Sequence, residues 1–491
     1  MTILILLAVL APAAASLCAL AAGWHIWTST VTAASAVTVL GCGAALGIDV
    51  HHLGDGQHLA LGGLLRADAL SATMLIVIGV VGSLATWASI GYIRAELDDG
   101  HTDRHGARLY GALTPLFLAA MVLAVCANDI GVVWVAIEAT TIVTAFLVGH
   151  RRTRTALEAT WKYVIVCSVG IAVAFLGTIL LYFAARFAGA GAEDALHLDV
   201  LTAHAAALDP AVARLAGALL LVGYGAKVGL VPFHTWLADA HSQAPAPVSA
   251  LMSGVLLSVA FSVIIRIKPI VDAAVGPGFL RGALLGAGLA TVLVAALLLT
   301  VTTDLKRMLA YSSMENMGLI AVAAAAGTRL AIAALLLHVL AHGVGKTVLF
   351  LAGGQLQAAH ASTAIADITG VFSRSRLVGG AFVVGMVVLL GLPPFAMFAS
   401  ELSIARSLAD ARLAWALGVM LLLVVVAFAA LTRNSTRVLF GPVPDGAPTI
   451  RAPGSVAGAL LTGVAVSAVL GVTIGPLTIL FDTAAGQFGA G

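Results

Sequence analysis

Six ionisable side chains stand inside apolar stretches of this 491-residue sequence: Glu138, Lys227, His338, His342, Lys346 and Glu401. A charge at the centre of a bilayer costs about 2.5–3.5 kcal/mol on insertion scales, so each needs a partner or a task. His338, His342 and Lys346 recur at i, i+4 and i+8, which sets all three on one helical face. Two carboxylates, two amines and two imidazoles, bridged by water, are what a proton wire requires. Glu138 with Lys227 also suits a structural ion pair that locks two helices. His338 with His342 has the spacing of a metal pair, but no Cys, Asp or Glu on that stretch completes a ligand set. Gly343-Val-Gly-Lys-Thr347 imitates a phosphate loop and misses its spacing, because Leu340 stands where a glycine is needed.

The elements that must hold these groups are membrane helices. Apolar residues make up 61% of the chain and charged residues 10%, against about 45–50% and 25% in soluble domains. Apolar runs long enough to cross roughly 30 Å of hydrocarbon recur from end to end. The reading is an all-α polytopic membrane protein with fourteen spans: 3–22, 28–47, 69–93, 109–126, 129–149, 160–185, 211–231, 248–266, 278–300, 308–326, 330–353, 377–404, 413–432 and 455–480. The alternating segments of an outer-membrane barrel are not evident, and a net charge of +2 gives no polyanion-binding excess, so nucleic acid is excluded as a partner. Cys18, Cys42, Cys126 and Cys167 stand singly and read as small buried hydrophobes. The first run lacks the basic residues of a signal peptide, since no Lys or Arg precedes Arg66, and is expected to be a retained helix.

Arg151, Arg152, Arg154 and Lys162 surround the fifth connection and should lie in the cytoplasm, which puts both termini outside. Under that orientation the inner connections hold the larger share of Lys and Arg. The outer share consists of Arg66, Arg186, Arg214, Arg266, Lys268, Arg281, Arg329, Arg406 and Arg412. Gly229-Leu-Val-Pro-Phe233 in the seventh span recurs as Gly391-Leu-Pro-Pro-Phe395 in the twelfth. Five spans separate the copies, so they face opposite ways. Proline-broken helices in inverted repeats mark transport folds.

The string Lys227-Val-Gly-Leu-Val-Pro-Phe-His-Thr-Trp-Leu-Ala-Asp-Ala-His-Ser-Gln-Ala-Pro245 resembles the antiporter-like subunits of respiratory complex I, multisubunit sodium/proton antiporters and membrane-bound hydrogenases. Asp304-Leu-Lys-Arg-Met-Leu-Ala-Tyr-Ser312 and His338-Val-Leu-Ala-His-Gly-Val-Gly-Lys346 extend the likeness. Trp161-Lys-Tyr-Val-Ile-Val-Cys-Ser168 and Ser312-Ser-Met-Glu-Asn-Met-Gly318 tilt it toward component F of the formate-hydrogenlyase-like hydrogenase 4.

The resemblance implies an N-terminal three-helix segment (1–108), two inverted five-helix repeats (109–268 and 278–432) and a C-terminal loop with the last helix (433–491). It implies a proton-translocating subunit in the inner membrane of a prokaryote. Glu138 and Lys227 would form the coupled pair of a first half-channel, Lys346 with His338 and His342 the central relay, and Glu401 the terminal group. His234, Asp239, His241 and Lys306 lie in matching motifs as supporting residues. Ser258 stands where complex I relatives commonly carry a lysine, so water must bridge that step or the half-channels are uncoupled. No cofactor is expected in this chain. A nickel–iron centre and iron–sulfur clusters would belong to peripheral hydrogenase and electron-transfer partners. The alternatives are a complex I pumping subunit, a sodium/proton antiporter or bicarbonate-uptake subunit, and a scaffold that does not pump.

Overall fold

The structure, a computed structural model, describes residues 1–53, 57–444 and 446–489. Residues 54–56, 445 and 490–491, within the expected segments 1–108 and 433–491, lie outside the described residues. The chain is a multi-pass helical membrane protein, and twelve helices among the described residues are long and apolar enough to cross a bilayer. Helices α1 (Thr2–Ala22) and α2 (Ile26–Leu53) precede a short antiparallel ribbon of β1 (His58–Ala60) and β2 (Leu65–Ala67), an addition to the expected all-α chain. Next come α3 (Ala69–Asp98), α4 (Arg104–Cys126), α5 (Ile130–Val148) and α6 (Arg154–Phe187). A short α7 (Leu198–His204) lies in the connection that follows α6.

The first broken span is α8 (Pro210–Val228) followed by α9 (Thr235–Gln243). Gly229 takes a left-handed φ of 83° between them, where a side chain would be strained. Then α10 (Ala246–Leu251) runs through a π-helical turn, Met252–Leu256, into α11 (Leu257–Val275). Helices α12 (Gly278–Val301), α13 (Leu305–Ala326) and α14 (Arg329–His360) follow, then α15 (Val371–Arg374). The second break separates α16 (Arg376–Leu389) from α17 (Ala396–Asp410), with Gly391 at φ 60°. Helices α18 (Ala414–Phe440), α19 (Gly454–Val472) and α20 (Gly475–Phe488) close the chain.

Two of the fourteen expected crossings are not among the twelve. The stretch 308–326 lies in α13, 22 residues diluted by Ser312, Ser313, Glu315 and Asn316. The stretch 377–404 is split into helices of 14 and 15 residues. The run 455–480 also departs from expectation, ending at Val472 and restarting as a separate short helix.

Many acidic residues at helix ends are spent on caps. Asp68, Asp103, Asp129, Asp209 and Asp304 each accept from backbone N–H groups of the turn they open. The centre is closed by α10–α11 and α14, whose most apolar stretches are buried throughout inside the bundle. Their contact is close enough that a Cβ on Gly343 would meet the Gly254 carbonyl at 2.8 Å.

The connections sort into two faces. On one, Leu305 N–H donates to Thr363 O (2.8 Å), Thr155 Oγ1 to Gln243 Oε1 (3.1 Å), and Arg374 to Pro448 O. On the other, Asn128 N–H donates to Leu64 O (2.9 Å), Ile130 N–H to Leu196 O (3.0 Å), and Arg281 to Ala411 O (3.4 Å).

Two of the nine charges assigned to the outer connections are buried in an ion-pair cluster, and one of them, Arg266, lies inside a helix. Arg66 and Arg266 are buried on Asp68, with Arg266 Nη1 2.6 Å and Nη2 3.0 Å from its carboxylate. Helix α11 runs nine residues past the expected boundary at 266, and the ion pair is what lets a guanidinium sit there. Arg151, counted inside, is likewise held by Glu96. The remaining asymmetry leaves more Lys and Arg on the face of Thr155, Arg374 and Pro448, the one that the positive-inside rule expects in the cytoplasm. Cysteines placed at 150–160 or 433–452 are therefore expected to resist a membrane-impermeant thiol reagent added outside intact cells. Labelling from outside would reverse the orientation.

Candidate functional site

Lys227 occupies the last turn of α8, just before the Gly229 break, and is fully buried. Its Nζ donates to Thr141 Oγ1 (2.8 Å) and to the Tyr163 hydroxyl (2.6 Å), which in turn shares a 2.5 Å hydrogen bond with Thr144 Oγ1. Glu138 lies one turn before Thr141 on α5, and its Oε1 accepts from Ser168 Oγ at 2.8 Å. No ion pair joins Glu138 to Lys227 among the described residues. The helix-locking pair is replaced by hydroxyls of α5 and α6 that solvate the ammonium.

The trio on α14 is buried throughout. The His338 and His342 rings are parallel to within 5°, their centroids 6.5 Å apart. His338 is held by Asn316 Oδ1 (2.9 Å) from α13 and Ser400 Oγ (3.0 Å) from α17. Both of its nitrogens are thus committed within the protein. Lys346 Nζ donates to Leu309 O (2.7 Å) and to Ser312 Oγ. Neither ring nitrogen of His342 finds a partner among the described residues. The same holds for His241 on α9, also fully buried, whose ring lies 5.8 Å from Phe350 of α14.

The other expected residues divide. Lys306 is buried and donates to Ala244 O at 2.7 Å. Ser258 is buried with no protein partner for its hydroxyl. Asp239 pairs with Arg307 and with Lys162 (3.0 Å), tying α9 to α13 and α6 near the surface, apart from the buried row. His234 stands at the start of α9, half-buried. Glu401 lines a cavity of about 220 Å³ with Leu319, Gly391, Phe398 and Met420.

Glu315 was not singled out among the ionisable groups. It is buried on α13, within electrostatic range of both Lys346 and Glu401. Its signal was present in the sequence, as a carboxylate inside the run 308–326. Among the described residues no group of three or more His, Cys, Asp or Glu is placed to hold a metal ion.

Residues 127–429 match the family described as NADH:quinone oxidoreductase/Mrp antiporter, TM. The chain is similar to the Hydrogenase-4 component F homolog of Methylacidiphilum infernorum, 38% identical over 390 residues, covering 79% of this chain and 81% of that protein. It is also similar to NADH-quinone oxidoreductase subunit N of Rhodococcus opacus, 27% identical over 451 residues, covering 85% and 81%. Among solved structures, a chain of an archaeal respiratory complex, the membrane-bound sulfane sulfur reductase, matches with a TM-score of 0.85 at 23% identity, covering 99% of this chain and 96% of that one. A chain of the Mrp complex from a Dietzia species gives 0.81 at 21% identity, covering 99% and 98%. At these identities the structural likeness is one of fold.

Proposed function

Because the chain belongs to the NADH:quinone oxidoreductase/Mrp antiporter family of membrane subunits, we propose that it is a proton-translocating membrane-arm subunit of a redox-driven complex built around a nickel–iron hydrogenase. The observation that carries this reading is the row of buried titratable groups on α8, α9, α13 and α14, whose lysines Lys227, Lys306 and Lys346 are held by neutral hydroxyls and carbonyls. Intramembrane ionisable residues of this kind are costly unless they move charge. The four partnerless nitrogens of His241 and His342, with the Ser258 hydroxyl, need ordered water to satisfy them. Such water supports a bridge from Lys227 to α14 where relatives commonly place a lysine. Glu315 then links Lys346 to Glu401.

In this reading the subunit has no redox centre. Electron transfer in the partners perturbs the row, and protons move between Glu138, Lys227, His342, Lys346, Glu315 and Glu401. The reading takes 109–268 and 278–432 as inverted repeats of a chain with fourteen crossings, and the two broken helices, one in each segment, support it.

The hydrogenase assignment rests on the Methylacidiphilum relative, and the subunit N relative favours an NADH:quinone oxidoreductase as the second reading. Purifying the complex in mild detergent through a tag on this chain separates them. Co-purification of a nickel-containing subunit is expected. Recovery of a flavin-containing NADH dehydrogenase subunit instead would favour the second reading, and recovery of the chain free of any redox subunit would remove both.

A further inference from the structure

The basic residues around the connection from α5 to α6 are not equally committed. Arg151 is clamped by Glu96 (2.5 Å), and Lys162 pairs with Glu158 (2.6 Å) and Asp239 (3.0 Å). Arg152 and Arg154 form no ion pair among the described residues. Asp103, the carboxylate within electrostatic range of Arg152, already accepts from the Gly106 N–H at the start of α4 (2.6 Å). Arg152 also holds a left-handed φ of 52°, which a non-glycine residue keeps only where its surroundings fix it.

Of these five-to-six connection residues, Arg152 stands at the mouth of a groove of about 670 Å³ between α4, α5 and α6. Phe146 and Trp161 on its rim are each 66% exposed, so the groove opens sideways to the hydrocarbon. His150 shares the mouth, its ring set 5.4 Å from that of Tyr110, and its buried Nε2 has no partner among the described residues. Leu113, Ile142 and Val164 make the walls apolar further in. The inner end is Thr141 and Ser168, the hydroxyls that hold Lys227 Nζ and Glu138 Oε1. From Leu157 to Ser168 the α6 wall rises about 16 Å. That is the depth of one leaflet, half of a roughly 30 Å hydrocarbon core.

We propose that this groove is a binding site for an anionic phospholipid of the cytoplasmic leaflet. Its phosphate accepts from the Arg152 guanidinium and from His150 Nε2, and one acyl chain runs inward past Phe146 and Val164 to Thr141 and Ser168. An anionic lipid answers both ends of the groove at once: charge-assisted hydrogen bonds for the unpaired cation, and a chain for the apolar walls. Basic pockets between helices on the cytoplasmic side suit such headgroups. The seated chain keeps water away from the lipid side of the Lys227 and Glu138 cages, so a proton held there leaves only through the protein. This last effect rests on the proton-translocating reading, whereas the site itself does not.

The test uses the assembled complex in phosphatidylcholine vesicles carrying a trace of phosphatidylglycerol with a photoactivatable diazirine near the end of one chain. A phosphatidylcholine probe with identical chains is the control. Labelling at Thr141 and Ser168 should favour the phosphatidylglycerol probe about fivefold, the scale of one arginine acting on an anionic lipid. Arg152→Gln should bring the ratio close to one, and Arg152→Lys should retain most of it, with assembly of both checked by co-purification. Pumping per turnover in phosphatidylcholine alone should fall severalfold and return on adding phosphatidylglycerol but not inorganic phosphate. Equal labelling by the two probes, a preference unchanged in Arg152→Gln, or no labelling because a neighbouring subunit fills the groove overturns the site. Selective labelling with pumping indifferent to phosphatidylglycerol overturns the sealing role. Glu138→Gln measured alongside keeps the readings apart. If it pumps at the parental rate while labelling stays selective, the proton-translocating reading fails and the lipid site stands. If it stops pumping while the probes label equally, the lipid site alone fails.

Discussion

Replacing Lys227 by alanine is expected to lower proton translocation by the assembled complex roughly tenfold or more, the scale of losing a positioned proton-transfer group. The geometry makes this a functional rather than a folding effect. Tyr163 already bonds Thr144, so removing the ammonium leaves the surrounding hydroxyls partnered. Lys227→Arg discriminates further: guanidinium keeps the charge but does not deprotonate, so a proton carrier is lost while a merely structural cation is preserved. Glu138→Gln should act in the same direction, because the amide oxygen still accepts from Ser168 but cannot release a proton. Pumping is read with a pH-sensitive dye in inverted vesicles, after assembly is checked by co-purification. Variants that assemble and pump at the parental rate would remove Lys227 and Glu138 from the path.

The second large effect is on stability. Asp68→Ala is expected to destabilise the subunit by about 3–5 kcal/mol, the usual result of stripping one partner from a buried ion pair. Arg266 and Arg66 would be left facing each other, and the N-cap bond to Ser71 would be lost as well. Burial alone would raise the Asp68 carboxyl, but Arg266 and then Arg66 hold it well below the usual carboxylate range. A lowered folded-state value means the stabilisation is complete above the unfolded value near 4 and is lost as pH falls through the folded one. Thermal unfolding of the parental complex should therefore weaken on acidification below about pH 5, while Asp68→Ala should lack that component. Equal unfolding temperatures at neutral pH would show that the cluster contributes nothing.

The helices and the buried row were legible because charges inside long apolar runs have few alternatives, and the Gly-Pro breaks sit where left-handed glycines interrupt the helices. Arg266 was misplaced for a physical reason: hydropathy sees a guanidinium as an end of a span, whereas its partner Asp68 lies 198 residues away in sequence. Glu96 and Arg151 escaped similarly, because each alone resembles an ordinary residue of an inner connection. The alternative of a locking Glu138–Lys227 ion pair is not formed among the described residues, since two opposite charges on neighbouring helices suggest contact and nothing local reveals that Thr141 and Tyr163 take the ammonium instead. Glu315 was readable by the same rule that found the others.

The hydroxyl cage around Lys227 has an electrical consequence. Thr141 and Tyr163 contribute dipoles and no formal charge, so each protonation of the lysine changes the net charge of that pocket by a full unit. A carboxylate in contact would leave that step the same size and shift both states by one negative charge, so here it is the loaded state that carries the net charge. A unit charge moved across the whole bilayer gains or loses about 2.3 kcal/mol per 100 mV, and a site part-way across feels a proportionate share. Occupancy of Lys227 is therefore biased by membrane voltage itself. As the voltage builds, it opposes further loading from one side and sets a back-pressure at which transport stalls.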